Sequence, residues 1–183
     1  IEYDFVCPHQ VQKSLALIDW PNLYCAGQTN GTTGYEEAAG QGLVAGANAA
    51  LAATAADRPP LVLRRDQAYL GVMIDDLVTK DITEPYRLFT SRAEFRLRLR
   101  QDNAWRRLAP LAHDLGLLPP EKYAPLARAE EQLEDALKML QQTSGSGGKL
   151  WDLLQRGAVT VDDIDELKGL PADLRRQLAT DAH

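Results

Sequence analysis

The stretch from Gly27 to Gly42, GQTNGTTGYEEAAGQG, is the feature that most restricts how this chain folds. Its first half contains small and polar residues, which leave the backbone open to close approach. The short apolar run before it, residues 22–26 (NLYCA), predicts a buried strand. Thr33 and Glu36 have the spacing of a capping box, which predicts a helix over about residues 34–53. The local unit is therefore a strand, a glycine-rich loop and a helix.

Two glycines inside the predicted helix indicate close packing. Gly42 and Gly46 lie one turn apart, and Ala38 extends the same face. A glycine in a helix interior costs about 1 kcal/mol relative to alanine. We therefore expect the backbone of this helix to lie directly against a sheet or a ligand.

A glycine-rich loop that opens a helix presents unpaired backbone N–H groups and the positive end of the helix dipole. The loop matches neither GxGxxG nor a Walker loop, which would carry a lysine. Glu36 and Glu37 in the first helical turn would repel a phosphate. The pattern favours a partly neutral ligand lying close to the loop, and the alternative is a tight turn that binds nothing.

Composition excludes several classes of protein. The formal net charge of −6 argues against a protein dedicated to coating nucleic acid. Cys7 and Cys25 form no metal-ligand spacing and the three histidines lie far apart, so we assign no metal site and no catalytic residue. No apolar run reaches the length of about 18 residues that a membrane span needs. We expect a cytoplasmic protein, and we interpret the start at Ile1 as that of a fragment or a trimmed chain.

The region 61–107 carries most of the positive charge. Seven arginines and two acidic residues lie between Arg87 and Arg107. A helix is predicted over residues 66–80 with Asp66 as N-cap, and strict alternation over residues 95–100 favours a strand, although a helix there stays open. The arginines can follow a row of phosphates, or they can be solvated or paired with nearby carboxylates.

The remaining sequence predicts helices. One is expected over residues 103–115 and ends at Gly116, and a long amphipathic helix follows over residues 119–142. Residues 143–149 (TSGSGGK) have the composition of a flexible linker, and short helices follow them.

Three blocks of sequence resemble the MnmG family, also called GidA. The blocks are AGQTNGTTGYEEAAGQGLVAGANAA from Ala26, LRRDQAYLGVMIDDLVTK from Leu63, and EPYRLFTSRAEFRLRLRQDNA from Glu84. They occur in the family's order and at its spacing, and the resemblance continues more weakly to the end of the chain. It implies a middle-to-C-terminal fragment of an FAD-dependent enzyme that installs a carboxymethylaminomethyl group at C5 of the tRNA wobble uridine.

The resemblance also implies cofactors, partners and contact residues. NADH and a one-carbon folate would take part, a tRNA-modification GTPase of the MnmE family would be the partner, and the enzyme would form a homodimer. The residues expected to contact FAD are Gly27, Gln28, Asn30, Gly31, Thr32, Thr33 and Gly34. Those expected to contact tRNA are Arg87, Arg92, Arg96, Arg98 and Arg100, with Tyr86 and Phe89 available to stack on an exposed base, and Arg64 and Arg65 are weaker candidates for the same contact.

The expected fold is α+β and mostly helical. Residues 1–56 would end an FAD-binding Rossmann-like domain, residues 61–107 would form a basic strand and helix region, and residues 108–183 would form a helical domain that begins the partner-binding region. The alternative function is a non-catalytic helical module that binds protein or tRNA and lacks the redox site.

Overall fold

The computed structural model describes residues 4–54, 57–80, 82 and 84–183, and its regular structure is almost entirely helical. The prediction of a mostly helical chain is confirmed, and the described residues contain one sheet, of two strands. The chain forms two compact units, residues 1–100 and 101–183. The finer division into three segments stays a prediction. Within the described ranges, no helix is long and apolar enough to cross a membrane.

The first unit is built on helices α1 (Tyr35–Thr54) and α2 (Tyr69–Thr79). Short 3-10 turns lie at Pro8–Gln10, Gly27–Asn30 and Thr90–Arg92. Both helices and the N-terminal segment contribute to one apolar cluster, which holds Val11, Leu15, Val44, Ala45, Met73, Ile74, Leu77 and Tyr86. Removal of this surface from water is the main force that holds α1 against α2.

The strand predicted over residues 22–26 does not form. Tyr24 makes one isolated antiparallel bridge with Ala16, and Val11 makes another with Leu17. The chain reverses between Val11 and Leu17 through Leu15, which has a φ of 67°. Each pairing therefore stops after a single residue, and the segment stays extended without joining a ladder.

Gly40 is the glycine of α1 that lies against another helix of the described chain, and the packing role of Gly42 and Gly46 stays a prediction. A Cβ at Gly40 would collide with the Leu70 side chain of α2. No atom lies within 4 Å of a Cβ built at Gly42 or Gly46, in the part of the chain that the structure describes. Gly40 therefore lets the Leu70 side chain reach the α1 backbone, while Gly42 and Gly46 lie on an open face of the described structure.

The alternating segment 95–100 is wound into a turn and is not a strand. The Phe95 carbonyl accepts hydrogen bonds from the N–H groups of Arg98 and Leu99, both at 2.9 Å. This turn leaves Phe95 exposed and buries Leu99, so the side chains do not alternate between two faces. The strand prediction failed because these local bonds take the backbone groups that a neighbouring strand would need.

The second unit contains helices α3 (Ala104–Asp114), α4 (Pro120–Gln142), α5 (Leu150–Gln155) and α6 (Ala172–Ala182). The predictions for α3 and α4 are confirmed, and Gly116, with a φ of 76°, follows α3 as expected. The apolar cluster of this unit includes Leu133, Leu140, Leu154, Ile164, Leu167, Leu174 and Leu178. Arg106 joins three helices by ion pairs, with Glu130 of α4 at 2.5 Å and Asp181 of α6 at 2.7 Å.

The predicted linker over residues 143–149 is an ordered hairpin. Strands β1 (Ser144–Gly145) and β2 (Gly148–Lys149) pair in antiparallel register. Gly147 and Gly148 have φ values of 119° and 143°, which a residue with a side chain rarely adopts. The composition of this segment indicated flexibility, but its glycines form a tight turn between α4 and α5.

Candidate functional site

The glycine-rich loop enters α1 through a 3-10 turn. Gly27 and Gly31 bracket this turn with φ values of 76° and 74°, in the left-handed region that favours glycine. A Cβ at Gly31 would lie 3.0 Å from the Phe5 ring. The positive φ therefore favours glycine at residue 31, and a side chain there would also require the Phe5 ring to shift.

Gln41, a residue of α1, holds the loop from the inside. Its side chain is fully buried, and its carbonyl oxygen accepts a hydrogen bond from the Gly27 N–H at 2.6 Å and another from the Asn30 amide at 3.4 Å. Its own amide donates to the Thr32 hydroxyl at 2.5 Å. One side chain thus fixes three points of the loop, which raises the cost of any rearrangement.

These contacts divide the predicted cofactor residues into two groups. Asn30 and Thr32 are buried and their side chains bond Gln41, so those side chains are not available to an outside ligand. Gln28 and Thr33 are exposed on the opposite side. Gln41 was not among the residues predicted for the site, although its position between Gly40 and Gly42 in a helix was a signal for it.

A cavity of about 360 Å³ lies on the exposed side of the loop. Three predicted residues line it, namely Gln28, Gly31 and Thr33. The remaining wall is mostly apolar and is formed by Phe5, Ile82, Glu84 and Pro85. Among the described residues the Gln28 amide has no hydrogen-bond partner, so it is available to a molecule in the cavity. The arrangement suits a flat, largely apolar group with polar atoms at its edge.

The start of α1 is already neutralised by a carboxylate of the chain itself. Helix α1 begins at Tyr35, so Glu37 occupies the third helical position that the sequence analysis gave to Glu36. The Glu37 carboxylate lies over Gly34, where a Cβ would collide with it, and accepts a hydrogen bond from the Leu88 N–H at 3.2 Å. The helix terminus therefore presents little net positive potential to a phosphate.

Tyr86 connects the loop to a cluster of charged residues. Its N–H donates to the Gly31 carbonyl at 2.8 Å, and its hydroxyl donates to the Asp76 carboxylate at 3.1 Å. Burial raises the pKa of Tyr86 well above its usual value, and the Asp76 charge raises it further. Because Tyr86 is buried, it cannot stack on an exposed base, and that prediction is wrong.

Asp76 is a fully buried carboxylate with several donors. Arg65 and Lys80 each approach it to 2.6 Å, and Arg92 lies 3.9 Å away. Burial by itself raises the pKa of Asp76, but the hydrogen bonds from Lys80, Arg65 and Tyr86 outweigh it and hold the pKa below the ordinary value. The ion pairs therefore keep this carboxylate charged in the folded protein.

Arg65 is a structural residue in this cluster. Its guanidinium bonds the carboxylates of Asp75, Asp76 and Glu94 and the backbone carbonyl of Arg92. The Glu94 hydrogen bond is the largest of the effects that raise its pKa. A guanidinium with this many internal partners has little capacity left for phosphate, which removes Arg65 as a nucleic-acid contact.

The arginines predicted to contact tRNA differ in the exposure of their side chains and in their internal contacts. Arg87 is mostly exposed, with its nearest carboxylate, that of Glu37, at 3.8 Å. Arg92 lies over the rings of Tyr86 and Phe89, with its guanidinium carbon 4.9 and 5.9 Å from the centroids. Arg96 and Arg98 are exposed in the 95–99 turn, and Arg100 is half-buried and donates to the Leu97 carbonyl at 3.2 Å. The structure therefore leaves Arg87 and Arg96 most open to an outside anion.

Comparison with known proteins identifies relatives of this chain. Residues 1–57 match the sequence profile of the family described as "Glucose inhibited division protein A". The chain is 55% identical over 164 residues to the tRNA uridine 5-carboxymethylaminomethyl modification enzyme MnmG of a Nitratiruptor species, covering 87% of this chain and 26% of that protein. It is 45% identical over 199 residues to the MnmG of Syntrophotalea carbinolica, covering 97% of this chain and 32% of that protein.

A solved structure has the same fold. GidA of Aquifex aeolicus, in its form II crystal, superposes with a TM-score of 0.85 at 43% sequence identity, over 97% of this chain and 31% of that one. The chain thus spans about a quarter to a third of the length of the relatives that it matches.

Proposed function

This chain belongs to the GidA family, and from that premise we propose that it supplies one wall of a flavin site and part of a tRNA-binding surface. The complete protein would be the enzyme that installs the carboxymethylaminomethyl group at C5 of the tRNA wobble uridine. The relatives named above carry that activity in their names.

The observation that supports the flavin wall is the cavity beside the glycine-rich loop. Its apolar side chains, Phe5, Ile82 and Pro85, suit the faces of a flat ring, and the Gln28 amide can both donate and accept at its edge. Gly31 carries no side chain, so its backbone forms part of the cavity wall. These features fit the ring end of FAD better than its pyrophosphate.

The residues of this chain would bind and orient the cofactor. The redox chemistry belongs to bound FAD, with NADH and a one-carbon folate as the reactants that the family resemblance implies. Gln28 would hold the ring edge, and Gln41 would keep the loop in the conformation that exposes Gln28. The low net charge at the start of α1 would limit binding of a competing phosphate at this point.

The arginine surface would bind the tRNA backbone. Arg87, Arg96 and Arg98 are exposed on the first unit, where a polyanion can reach them. Arg92 and Arg100 would contribute less because internal contacts already hold their side chains. In this proposal, the helices of the second unit begin the region that meets a tRNA-modification GTPase, and the protein is a cytoplasmic homodimer.

Flavin content of the complete protein tests the proposed site. We expect the double variant Gln28→Ala, Gly31→Ala to purify with much less FAD than the wild type and to regain little on titration with FAD. Gln12→Ala, which changes an exposed glutamine of the same unit, is the matched control and should retain full flavin content. Full flavin occupancy in the double variant would show that the cofactor lies elsewhere.

A further inference from the structure

The tip of the turn between Glu94 and Leu99 exposes two large apolar side chains between arginines. Phe95 is 46% exposed and Leu97 is 84% exposed. Arg96 and Arg98 alternate with them along the chain and are also exposed. We call residues 95–98 the tip.

Both ends of the tip are fixed to the first unit. Glu94 is bonded by the Arg65 guanidinium, with contacts between 2.8 and 3.1 Å. Leu99 is buried in a small cluster with Val72 and Ala93. The Phe95 carbonyl closes the turn by accepting the N–H groups of Arg98 and Leu99. The exposed side chains are therefore held outward by an anchored turn.

The charges around the tip favour an anionic partner. In the part of the chain that the structure describes, no carboxylate pairs with the Arg96 guanidinium. The Arg98 guanidinium lies 3.9 Å from the Asp66 carboxylate, which Arg64 bonds more closely, at 2.8 Å. Glu94 is occupied by Arg65. The tip thus presents the Arg96 guanidinium without a paired carboxylate among the described residues.

Apolar side chains alternating with arginines match the chemistry of unpaired nucleotides. Each unpaired nucleotide offers a flat apolar face next to a phosphate, and aromatic side chains stack on such faces while arginines contact the backbone. In a duplex the base faces are covered by their neighbours, so a duplex would leave Phe95 and Leu97 without a partner. An acidic protein surface would pair with the arginines but would not need the exposed ring.

We propose that the tip, Phe95 to Arg98, contacts unpaired bases of a single-stranded RNA loop, with Phe95 stacking on a base and Leu97 packing beside it. This inference rests on the proposed function, because it assumes that the arginine surface binds tRNA. It adds that apolar contact with unpaired bases contributes to affinity separately from phosphate contact.

Binding of two RNAs to the complete protein tests this inference. One RNA is a stem-loop with an unpaired loop of seven nucleotides, and the other is a blunt duplex with the same number of phosphates, both followed by fluorescence anisotropy at several salt concentrations. We expect Phe95→Ala to weaken stem-loop binding about tenfold, in the range known for base–aromatic stacking, without changing its salt dependence. Duplex binding should be unchanged. Phe95→Trp should restore stem-loop affinity, and Leu97→Ala should weaken it less than Phe95→Ala.

Leu43→Ala is the matched control for Leu97→Ala, because Leu43 is also an exposed leucine of the first unit. Equal stem-loop affinity of Phe95→Ala, Leu97→Ala and the wild type would overturn the inference while leaving phosphate binding by the arginines intact. A change in oligomeric state in Phe95→Ala, measured by light scattering, would also overturn it and assign the tip to a protein contact. If the wild type bound neither RNA in a salt-dependent way, the tRNA-binding part of the proposed function would itself fail, and the inference with it.

Discussion

The Tyr86 hydroxyl donates a hydrogen bond to the buried Asp76 carboxylate at 3.1 Å, and the same tyrosine is bonded to the glycine-rich loop through its backbone. The loop carbonyl involved is that of Gly31, which lines the candidate cofactor cavity. Asp76 in turn binds Arg65, which anchors the turn that carries the arginine tip. One tyrosine therefore joins the two surfaces that we assign to cofactor and RNA.

Asp76 should make the stability of the first unit depend on pH. Its pKa is lower in the folded than in the unfolded chain, so its contribution is complete above the unfolded value of about 4 and is lost as the pH falls through the folded value. We expect Asp76→Asn to cost about 1–3 kcal/mol at pH 7, because an amide nitrogen would face Arg65 and Lys80. The difference in the free energy of unfolding between Asp76→Asn and the wild type, measured by urea denaturation, should become smaller as the pH falls from 5 to 2. Asp19→Asn, at an exposed position, is the control, and a constant difference across this range would contradict the assignment.

Gln41 should control both stability and cofactor retention. Gln41→Leu keeps the side-chain size but leaves the Gly27 N–H and the Asn30 and Thr32 side chains without their buried partner. We expect a loss of about 3 kcal/mol or more in the free energy of unfolding, since each of the three unsatisfied groups costs about 1–3 kcal/mol. The flavin content should fall together with the free energy of unfolding. Both quantities are measured on the purified complete protein. Gln132→Leu on the exposed side of α4 should change neither, and a fully flavinated Gln41→Leu would disprove the role.

Two glycines should respond to alanine in opposite ways. Gly31→Ala forces a side chain into a left-handed conformation and against Phe5, which we expect to cost about 1–2 kcal/mol. Gly42→Ala lies in α1 with open space around it, so it should gain up to about 1 kcal/mol from helix propensity. Thermal unfolding of both variants of the complete protein measures the contrast. Destabilisation by Gly42→Ala would instead show that another part of the protein covers this face.

Arg96 should contribute to RNA binding through charge. Removal of one phosphate contact lowers the slope of log affinity against log salt by about 0.7–0.9. We expect Arg96→Ala to show this reduction with tRNA, measured by filter binding from 50 to 300 mM salt. Arg128→Ala changes an exposed arginine of α4 and serves as the control. Identical slopes for Arg96→Ala and the wild type would remove Arg96 from the RNA surface.

Sequence periodicity identified the long helices well and the extended segments poorly. Helices α3 and α4 were predictable because their apolar residues recur with a helical period and Gly116 ends the first of them. Residues 95–100 alternate between apolar and charged residues as a strand does. Their conformation is instead set by local hydrogen bonds to the Phe95 carbonyl, which the alternating pattern does not predict. In the same way, the composition of residues 143–149 indicated flexibility but not the pairing of the hairpin.

The candidate site was predictable only in outline. The glycine-rich loop stood out in the sequence, and Gln28, Gly31 and Thr33 do line one cavity. The roles of Asn30 and Thr32 depend on Gln41, which lies about two helical turns into α1 and reaches back to the loop. The burial of Tyr86 depends on a cluster that includes Val11, Leu15 and Val44, which are distant from it in sequence. Such relations come from tertiary packing, so a linear pattern does not contain them.

The contact between the Glu37 carboxylate and Gly34 has a consequence for how this sequence can diverge. A side chain at residue 34 would need the space that the carboxylate fills, while a shorter residue at 37 would abandon the Leu88 N–H. A substitution at residue 34 or 37 alone would disturb the hydrogen bond to the Leu88 N–H. A joint substitution can make room for a side chain at residue 34 and supply a new acceptor for that N–H. We therefore expect residues 34 and 37 to covary across an alignment of relatives, so that substitutions at one accompany substitutions at the other.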